Sequence, residues 1–347
     1  MAYGVKESEA SAVAEVLVAL WRRNLPVAEG DVQAKLRWFY LEGPHGPARA
    51  LVLQDSAGSP IGCAGIGHRR FSLTDRAELV PAALLADLAV DRAHRSGFPA
   101  MTLTRAAREA ARRIAPIHYG FPNPSAVGLF ERMGYRKLGV MTRWVRILRH
   151  AAYVERVLAS PILARAAGAL VDAARLVELT PARVAALRYR LDHGGPVDAR
   201  FDRLWDAGRR QYGAIAWRGA EFLRWRFLGA PGARLEIVAL VERGGRAVRA
   251  YAAVERVETV FHIRDAFGVS LADTGLLLDL LVPDLRAAGG TALSFSFLGS
   301  PRVEALLRAH RFQPREATRA VVVDARPGNE LPATESWYVT DGDEDNI

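Results

Sequence analysis

The segment that most constrains the fold is an apolar strand followed by a tight basic turn and a long helix. The run ALLADLAV (83–90) leads through DRAHRSGFP (91–99) into the alanine-rich stretch TLTRAAREAARR (102–113). Apolar runs of this length are typical of buried strands, and backbone N–H groups at a helix start can hold a phosphate. The segment therefore predicts α/β structure and a place where a phosphorylated molecule could bind.

The same order of elements occurs twice along the 347 residues. Residues 1–147 begin with a strand, helices and a hairpin. The strand–turn–helix segment follows, and after it come a strand, a short helix and a closing strand. Residues 195–347 repeat this order, starting from a helical region at 201–228. The stretch between them, 148–194, has a helical pattern. We therefore predict two tandem domains, each a mixed, mostly antiparallel sheet flanked by helices, with a helical connector. The acidic tail DGDEDN is predicted to be mobile.

Composition bears on partners and compartment. Net charge is +9, but only three of the 47 basic residues are lysines. This bias towards arginine indicates a coding-composition effect, so nucleic acid is not the favoured partner, although a positive surface attracts CoA, an acyl carrier protein or tRNA. Cys63 is the only cysteine, which excludes an internal disulfide and a paired-cysteine zinc site, and we expect no metal. Without a signal peptide or an 18-residue apolar run, the expected location is the cytoplasm.

Two segments of the first half resemble the GNAT superfamily of acyl-CoA-dependent N-acyltransferases. LADLAVDRAHRSGFPAMTLTRAA (85–107) is similar to the strand, pyrophosphate loop and helix of that family. FPNPSAVGLFERMGYRKLG (121–139) is similar to its later helix. The second half resembles the same fold by topology alone, and EFLRWRF and SWYVTDGDEDN also look like parts of paired GNAT proteins. The resemblance implies a tandem GNAT-like chain whose second domain is degenerate.

The resemblance also implies where acyl-CoA, most simply acetyl-CoA, binds. Backbone groups of the strand would meet the pantetheine arm, and the helix start and nearby cations would meet the pyrophosphate. The loop departs from the family pattern, because Phe98 stands where a small residue is expected and Pro99 has no N–H to donate. The residues assigned to the cofactor from this segment are Leu88, Ala89, Val90, Arg95, Ser96, Gly97, Phe98 and Ala100, with Arg92 or His94 as further cations.

Catalytic residues follow from the same resemblance. The family tyrosine that protonates the leaving thiolate corresponds to Phe130, which has no proton to give, so Tyr119 or Tyr135 is the alternative acid, or the thiolate leaves unassisted. Asn123 corresponds to the asparagine that contacts the cofactor. An amine must be deprotonated before it attacks a thioester, and Asp87, a charged residue in an apolar strand, is the candidate base. Cys63 is interpreted as a core residue.

The second half carries no such loop. Asp265 and Asp273 would repel a pyrophosphate, so we expect this half to bind no CoA. Its aromatic and basic segment has two interpretations: an acceptor groove, or a helix with core aromatics and a solvated arginine face, which is favoured. The residues concerned are Trp217, Arg218, Arg224, Trp225 and Arg226.

The leading hypothesis is an N-acyltransferase that moves an acyl group from acyl-CoA, or an acyl carrier protein, to a small-molecule amine such as a sugar or an envelope or polysaccharide precursor. Two alternatives stay open. One is aminoacyl transfer from charged tRNA, as in paired-GNAT Fem-like enzymes, against which the Arg95 loop counts. The other is a non-catalytic GNAT-like protein that binds a metabolite or partner. The connector could lie on a membrane surface, but packing across the domains is favoured.

Overall fold

A computed structural model describes residues 3–25, 29–95, 97–150, 167–170, 184, 187–232, 234–245 and 247–345. In the first half, the strands are β1 (Gly4–Glu9), β2 (Arg49–Gln54), β3 (Pro60–Leu73), β4 (Val80–Val90), β5 (Ile117–Gly120) and β6 (Arg136–Ile147). The helices are α1 (Ala14–Asn24), α2 (Glu29–Lys35), α3 (Gly97–Ile114) and α4 (Val127–Arg132), and α2 continues into a π-helical turn at Leu36–Leu41.

In the second half, the strands are β7 (Tyr189–His193), β8 (Ala214–Ala216), β9 (Leu235–Glu242), β10 (Val248–Val257), β11 (Val260–Gly268), β12 (Ala292–Gly299), β13 (Gln313–Ala325) and β14 (Trp337–Thr340). The helices are α5 (Ala199–Gly208), α6 (Ala220–Leu223), α7 (Leu271–Ala287) and α8 (Pro301–Ala309). A second π-helical turn, Arg224–Leu228, follows α6.

The strands form one sheet in which the halves exchange their closing strands. The order is β1-β2-β3-β4-β5-β13-β6-β12-β11-β10-β9-β7. β6 therefore lies beside β12 of the second half, and β13 lies beside β5 of the first half. β4/β5 and β11/β12 are parallel pairs, and most other neighbours are antiparallel. The exchange joins both halves through backbone hydrogen bonds, which the sequence pattern did not predict.

The two π-helical turns reveal an internal repeat. KLRWFYL (35–41) and FLRWRFL (222–228) share the pattern Leu-Arg-Trp-x-aromatic-Leu. Trp38 and Trp225 stack with ring centroids 5.0 Å apart and planes 19° apart. The halves are thus related by an approximate twofold arrangement whose centre includes this tryptophan pair. Two buried apolar clusters take alternate residues of β2 and β4, so they lie on opposite faces of the sheet in the first half, and a third cluster consists mostly of residues of the second half.

Local sequence explains why the elements of the second half begin where they do. The Asp198 carboxylate accepts from the Arg200 N–H and caps α5. Ser270 caps α7 by accepting from the Asp273 N–H, and Pro301 occupies the first position of α8, where a missing N–H costs nothing. These signals lie in the sequence, so the helices there are well predicted.

Three predictions about the second half are wrong in part. The helical region 201–228 contains the strand β8, and the helical connector 148–194 ends in the strand β7. Residues 167–170 and 184 are helical, and most of the rest of the connector lies outside the described residues. The tail is ordered, not mobile: β14 pairs with β12 and β8, and the buried residues Asp343, Glu344 and Asp345 follow.

Candidate active site

A cavity of about 480 Å³ opens where β4 and β5 part. The strands pair in parallel from Ala82 beside Ile117 to Leu85 beside Gly120, and β5 then ends while β4 continues to Val90. The lining residues are Leu25, Ala64, Leu85, Ala86, Asp87, Leu88, Thr104, Ala107, Phe121, Pro122, Asn123, Pro124, Ala126, Phe130, Thr318, Arg319 and Asp345. Apolar walls with a few convergent polar groups are typical of small-molecule sites.

A bulge in β4 shapes the floor of this cavity. Cys63 pairs with Ala89 and Gly65 with Ala86, so β4 contains one residue more than β3 across this interval. Asp87, at φ 51°, adopts the left-handed conformation that is unfavourable for most residues other than glycine. Asp87 and Leu88 are paired with neither β3 nor β5 in the described ladders. Bulges of this kind re-aim side chains and free backbone groups next to functional sites.

The bulge directs the Asp87 carboxylate into a buried charge cluster. Lys35 Nζ lies 2.6 Å from one oxygen, and the Tyr40 hydroxyl donates to the other at 2.7 Å. Lys35 also lies 3.7 Å from Asp345, so one lysine serves two carboxylates. Gly65 is necessary here, because a Cβ at that position would overlap the Tyr40 hydroxyl. The cluster therefore carries an excess negative charge facing a cavity.

Burial controls the ionisation of this cluster. Burial raises the pKa of Asp87, and the nearby Asp345 raises it further, while Lys35 opposes the shift. Burial lowers the pKa of Lys35, but Asp87 and Asp345 more than offset that effect and raise it. The pKa of Tyr40 is held well above its usual value by burial and by Asp87. Lys35 and Tyr40 thus remain protonated near neutral pH and act as donors to Asp87.

The C-terminal segment 341–345 reaches this site because buried arginines hold it. Arg218 contacts Asp265 and Asp343, each at 2.9 Å, and all three side chains are buried. Burial alone would lower the pKa of Arg218, but the two carboxylates raise it well above its usual value. Arg226 donates to the carbonyl oxygens of Asp341 and Gly342. The segment is therefore a wall of the site.

These contacts correct the interpretation of the basic segment in the second half. Arg218 and Arg226 are not on a solvated face; they are 1 % and 0 % exposed. Arg224 donates to the Val197 carbonyl. The aromatic members do contribute to the core: Trp225 stacks on Trp38, and Trp217 packs beside Phe222.

The loop residues assigned to the pyrophosphate lie away from the cavity lining. Arg95 donates to the Val90 carbonyl at 2.9 Å and to Asn24 at 3.3 Å. Phe98 is 62 % exposed and its ring contacts Tyr3, so it does not enter the cavity. Gly97 begins α3, the Ala100 carbonyl accepts from Thr104, and Ser96 lies outside the described residues. Leu88 lines the cavity, and Ala89 and Val90 continue the edge of β4 beyond the end of β5.

Of the four residues assigned from the later helix and the strands near it, two line the cavity and two do not. Asn123 and Phe130 line the cavity; Asn123 also accepts from the Ala126 N–H at 3.0 Å and closes the turn before α4. Tyr119 does not line it, and its hydroxyl donates to the Asp343 carbonyl at 3.2 Å. The Tyr135 hydroxyl is buried against His118. Burial raises the pKa of both tyrosines, so neither arrangement favours a catalytic acid.

Sequence reasoning missed Lys35, Tyr40 and Asp345. One signal was present, since Lys35 is one of only three lysines in the chain. Cys63, interpreted as core, is buried, and burial strongly raises the pKa of its thiol. Within the described ranges, no three His, Cys, Asp or Glu side chains are grouped as metal ligands, and no helix combines the length and apolar character needed to span a bilayer.

Comparison with known proteins identifies the fold. No family model matches the chain, and no curated protein matches its sequence. A probable N-acyltransferase of unknown function from Enterococcus faecalis matches with TM-score 0.62 and 9 % identity, over 94 % of this chain and 73 % of that one. A GCN5-related N-acetyltransferase from Anabaena variabilis matches with TM-score 0.62 and 14 % identity, over 92 % and 72 %.

A tandem GNAT protein from the clavulanic acid biosynthesis pathway matches with TM-score 0.52 and 14 % identity, over 94 % of this chain and 100 % of that one. At these identities the matches establish the fold alone. The chain has the fold of the GCN5-related N-acetyltransferases, with GNAT-like units in tandem. This confirms the resemblance and the fold class inferred from the sequence.

Proposed function

We propose that the chain is an N-acyltransferase that takes an acyl group from acyl-CoA in the β4–β5 cavity and transfers it to an amine. One observation carries the proposal: the cavity lies at the point where β4 and β5 part, and its floor is a bulge beside two buried carboxylates. A thioester and an ammonium group both find complementary surroundings there. The GNAT fold supports the same reaction class.

The residues present fit the donor. Beyond Leu85, the edge of β4 at Leu88–Val90 faces the region that β5 has left, and such an edge can pair with an amide-bearing arm. The start of α3 at Gly97 offers N–H groups and a favourable dipole to a phosphate. Since Phe98 points outward, its bulk does not fill the cavity. Acyl-CoA would supply an activated carbonyl with a thiolate leaving group.

We assign to Asp345 the role of the base that takes a proton from the acceptor amine. Both Asp87 oxygens already have close donors, Lys35 and Tyr40, so Asp87 serves to orient Lys35. Asp345 lies at a longer distance, 3.7 Å, from Lys35 and lines the cavity, so we assign to its carboxylate the proton of the acceptor. The proposal therefore differs from the sequence-based expectation that Asp87 is the base.

The reaction balances with these groups. The acceptor ammonium loses one proton to Asp345, directly or through water, and the free amine attacks the thioester carbonyl. The C–N bond forms and the C–S bond breaks, so the electron pair leaves with sulfur. With Phe130 in the family tyrosine position, the thiolate leaves without a side-chain acid, which the ordinary acidity of thiols permits. The second ammonium proton neutralises the thiolate, and the proton on Asp345 returns to solvent.

The test is thiol release from acetyl-CoA and longer acyl-CoAs in the presence of a panel of amines. The proposal expects amine-dependent thiol release by the full chain, with the acylated amine found by mass spectrometry. If a folded preparation releases no thiol above the amine-free rate with any donor, the proposal is wrong. In that case the second candidate, a non-catalytic metabolite-binding protein, is favoured by Phe130 and by the missing N–H of Pro99.

A further inference from the structure

A second cavity, of about 310 Å³, lies in the other half. β11 and β12 pair in parallel from Val260 beside Ala292 to Ile263 beside Phe295, and the cavity lies beyond this point. By strand order, this is the place equivalent to the first cavity. The residues that line it are Arg143, Arg226, His262, Arg264, Ser296, Thr318, Arg319, Asp341 and Glu344.

The two equivalent cavities differ in charge. β11, like β4, has a bulge: Ala253 pairs with Asp265 and Val254 with Ile263, so Arg264 is the extra residue. Counted from the last parallel pair in each half, Arg264 corresponds to Ala86 and Asp265 to Asp87. Asp265 is buried against Arg218 and does not line the second cavity, whereas the Arg264 guanidinium does. An acidic cavity can hold an ammonium group, and a basic one suits an anion.

Arginines dominate the second cavity. Four arginines line it against two carboxylates, and the Arg143 partner, Glu316, has a side chain that is 58 % exposed and well solvated. Burial and the nearby Arg69 lower the pKa of Arg226 to about 9. Burial and the adjacent Arg264 also lower the pKa of His262. Burial is the main cause of both shifts, and neighbouring arginines add to them. Arg264 differs, because burial is outweighed by Asp341 and Glu255, which raise its pKa.

The two cavities share one wall. Thr318 and Arg319 of β13 line both of them, and the consecutive residues Glu344 and Asp345 line the second and the first respectively. The exchanged strand β13 and the C-terminal segment therefore form a thin partition between an acidic site and a basic site. A bifunctional molecule could place one group on each side of Arg319, whose side chain is half exposed.

We propose that the second cavity binds an anionic group of the acceptor, a carboxylate or a phosphate, while the acceptor amine lies beside Asp345. The acceptor is then an amine that also carries an anion. This inference rests on the proposed function for the amine, but the anion site can be tested by itself.

The variant of choice is Arg143→Gln. The Arg143 side chain is only partly buried and its ion-pair partner is exposed, so the substitution leaves no carboxylate buried without a cation. Arg136→Gln is the matched control, because Arg136 is exposed on the same strand and is not part of the cavity lining. Both variants change the net charge equally.

The first measurement is acyl transfer from acetyl-CoA to two matched pairs: glucosamine phosphate against glucosamine, and an amino acid against its methyl ester. We expect kcat/KM to be at least about tenfold higher for the anionic member of one pair, and Arg143→Gln to remove most of that preference. A preference within the glucosamine pair indicates that the cavity binds a phosphate, and a preference within the amino acid pair indicates that it binds a carboxylate. Equal rates within both pairs, or equal effects of Arg143→Gln and Arg136→Gln, would overturn the proposal.

The second measurement needs no turnover. In calorimetric titrations with inorganic phosphate, we expect Arg143→Gln to weaken binding by about tenfold and Arg136→Gln to leave it unchanged. Absent phosphate binding, or equal binding by all three proteins, contradicts an anion site that accepts phosphate; the amino acid pair then decides for carboxylate. If the proposed function is wrong, no acceptor gives thiol release. The phosphate titration still shows in that case whether the second cavity binds an anion.

Discussion

Trp38 and Trp225 exchange hydrogen bonds across the two halves: each indole N–H donates to the backbone carbonyl of the other residue, at 2.7 and 2.8 Å. The rings also stack. The pair connects the two copies of the Leu-Arg-Trp pattern, and both π-helical turns are held by it. Lys35 immediately precedes the first turn, so the geometry of the acidic site depends on this contact between halves.

The first prediction concerns this pair. Trp38→Phe and Trp225→Phe should each lower the free energy of unfolding by about 2 kcal/mol, because each removes packing and leaves a carbonyl without its donor. The double variant should cost less than the sum by about 1 kcal/mol, since the stack is lost only once. Urea denaturation measures all three. Pairing Trp38→Phe with Trp205→Phe, which packs on Phe267, is the additive control; coupling there of the same size would refute a specific pair.

The second prediction concerns the anchor of the C-terminal segment. Arg218→Met should lower the free energy of unfolding by about 3–5 kcal/mol, because Asp265 and Asp343 would remain buried without their cation. Arg22→Met, at an exposed position, should change it by less than about 0.5 kcal/mol. Chemical denaturation compares the two. A mild effect of Arg218→Met would mean that the segment is not held as described.

The third prediction concerns pH. Burial, with Arg112 and Arg108 nearby, lowers the pKa of His118 from 6.5 to about 4. Between these values the unfolded chain binds more protons than the folded one, so stability falls as pH drops from about 6.5 to about 4, by up to about 3 kcal/mol from this residue. His118→Gln should flatten that part of the stability profile. Chemical denaturation at a series of pH values measures the profile, and an equally steep profile for His118→Gln contradicts the prediction.

The fourth prediction concerns the assigned base. Asp345→Asn should lower kcat by about a hundredfold or more while leaving the Kd of acetyl-CoA within about twofold, because the carboxylate is assigned to the acceptor proton. Asp55→Asn, in a surface turn, should have wild-type kinetics. Steady-state thiol release and donor titration give the two quantities. If Asp345→Asn keeps the wild-type kcat, Asp345 is not the base and another group takes the proton.

The sequence alone predicted those parts of the architecture that are determined by residues close together in the chain. Periodicity and caps locate most elements, and two of the residues singled out in the sequence, Asp87 and Leu88, line the cavity. The exchange of β6 and β13 could not be predicted, because the alternation of apolar residues shows which face of a strand is buried but not which strand lies beside it. The same limit hid Lys35 and Tyr40, which lie far from Asp87 in sequence. The prediction for the acidic tail failed for another reason. Its carboxylates form ion pairs with Arg218, Arg264, Arg319 and Lys35, which lie far away in sequence, and composition does not show such contacts.

The most direct test of the central claim is a calorimetric titration of the full chain with acetyl-CoA, compared with a variant that fills the β4–β5 cavity. Ala126→Phe adds a ring to the cavity lining, and Ala309→Phe adds the same ring at the exposed end of α8. The account predicts saturable binding by the wild type, loss of about tenfold or more in affinity for Ala126→Phe, and unchanged affinity for Ala309→Phe. A folded wild-type chain that binds no acetyl-CoA, or an Ala126→Phe variant with wild-type affinity, would contradict it.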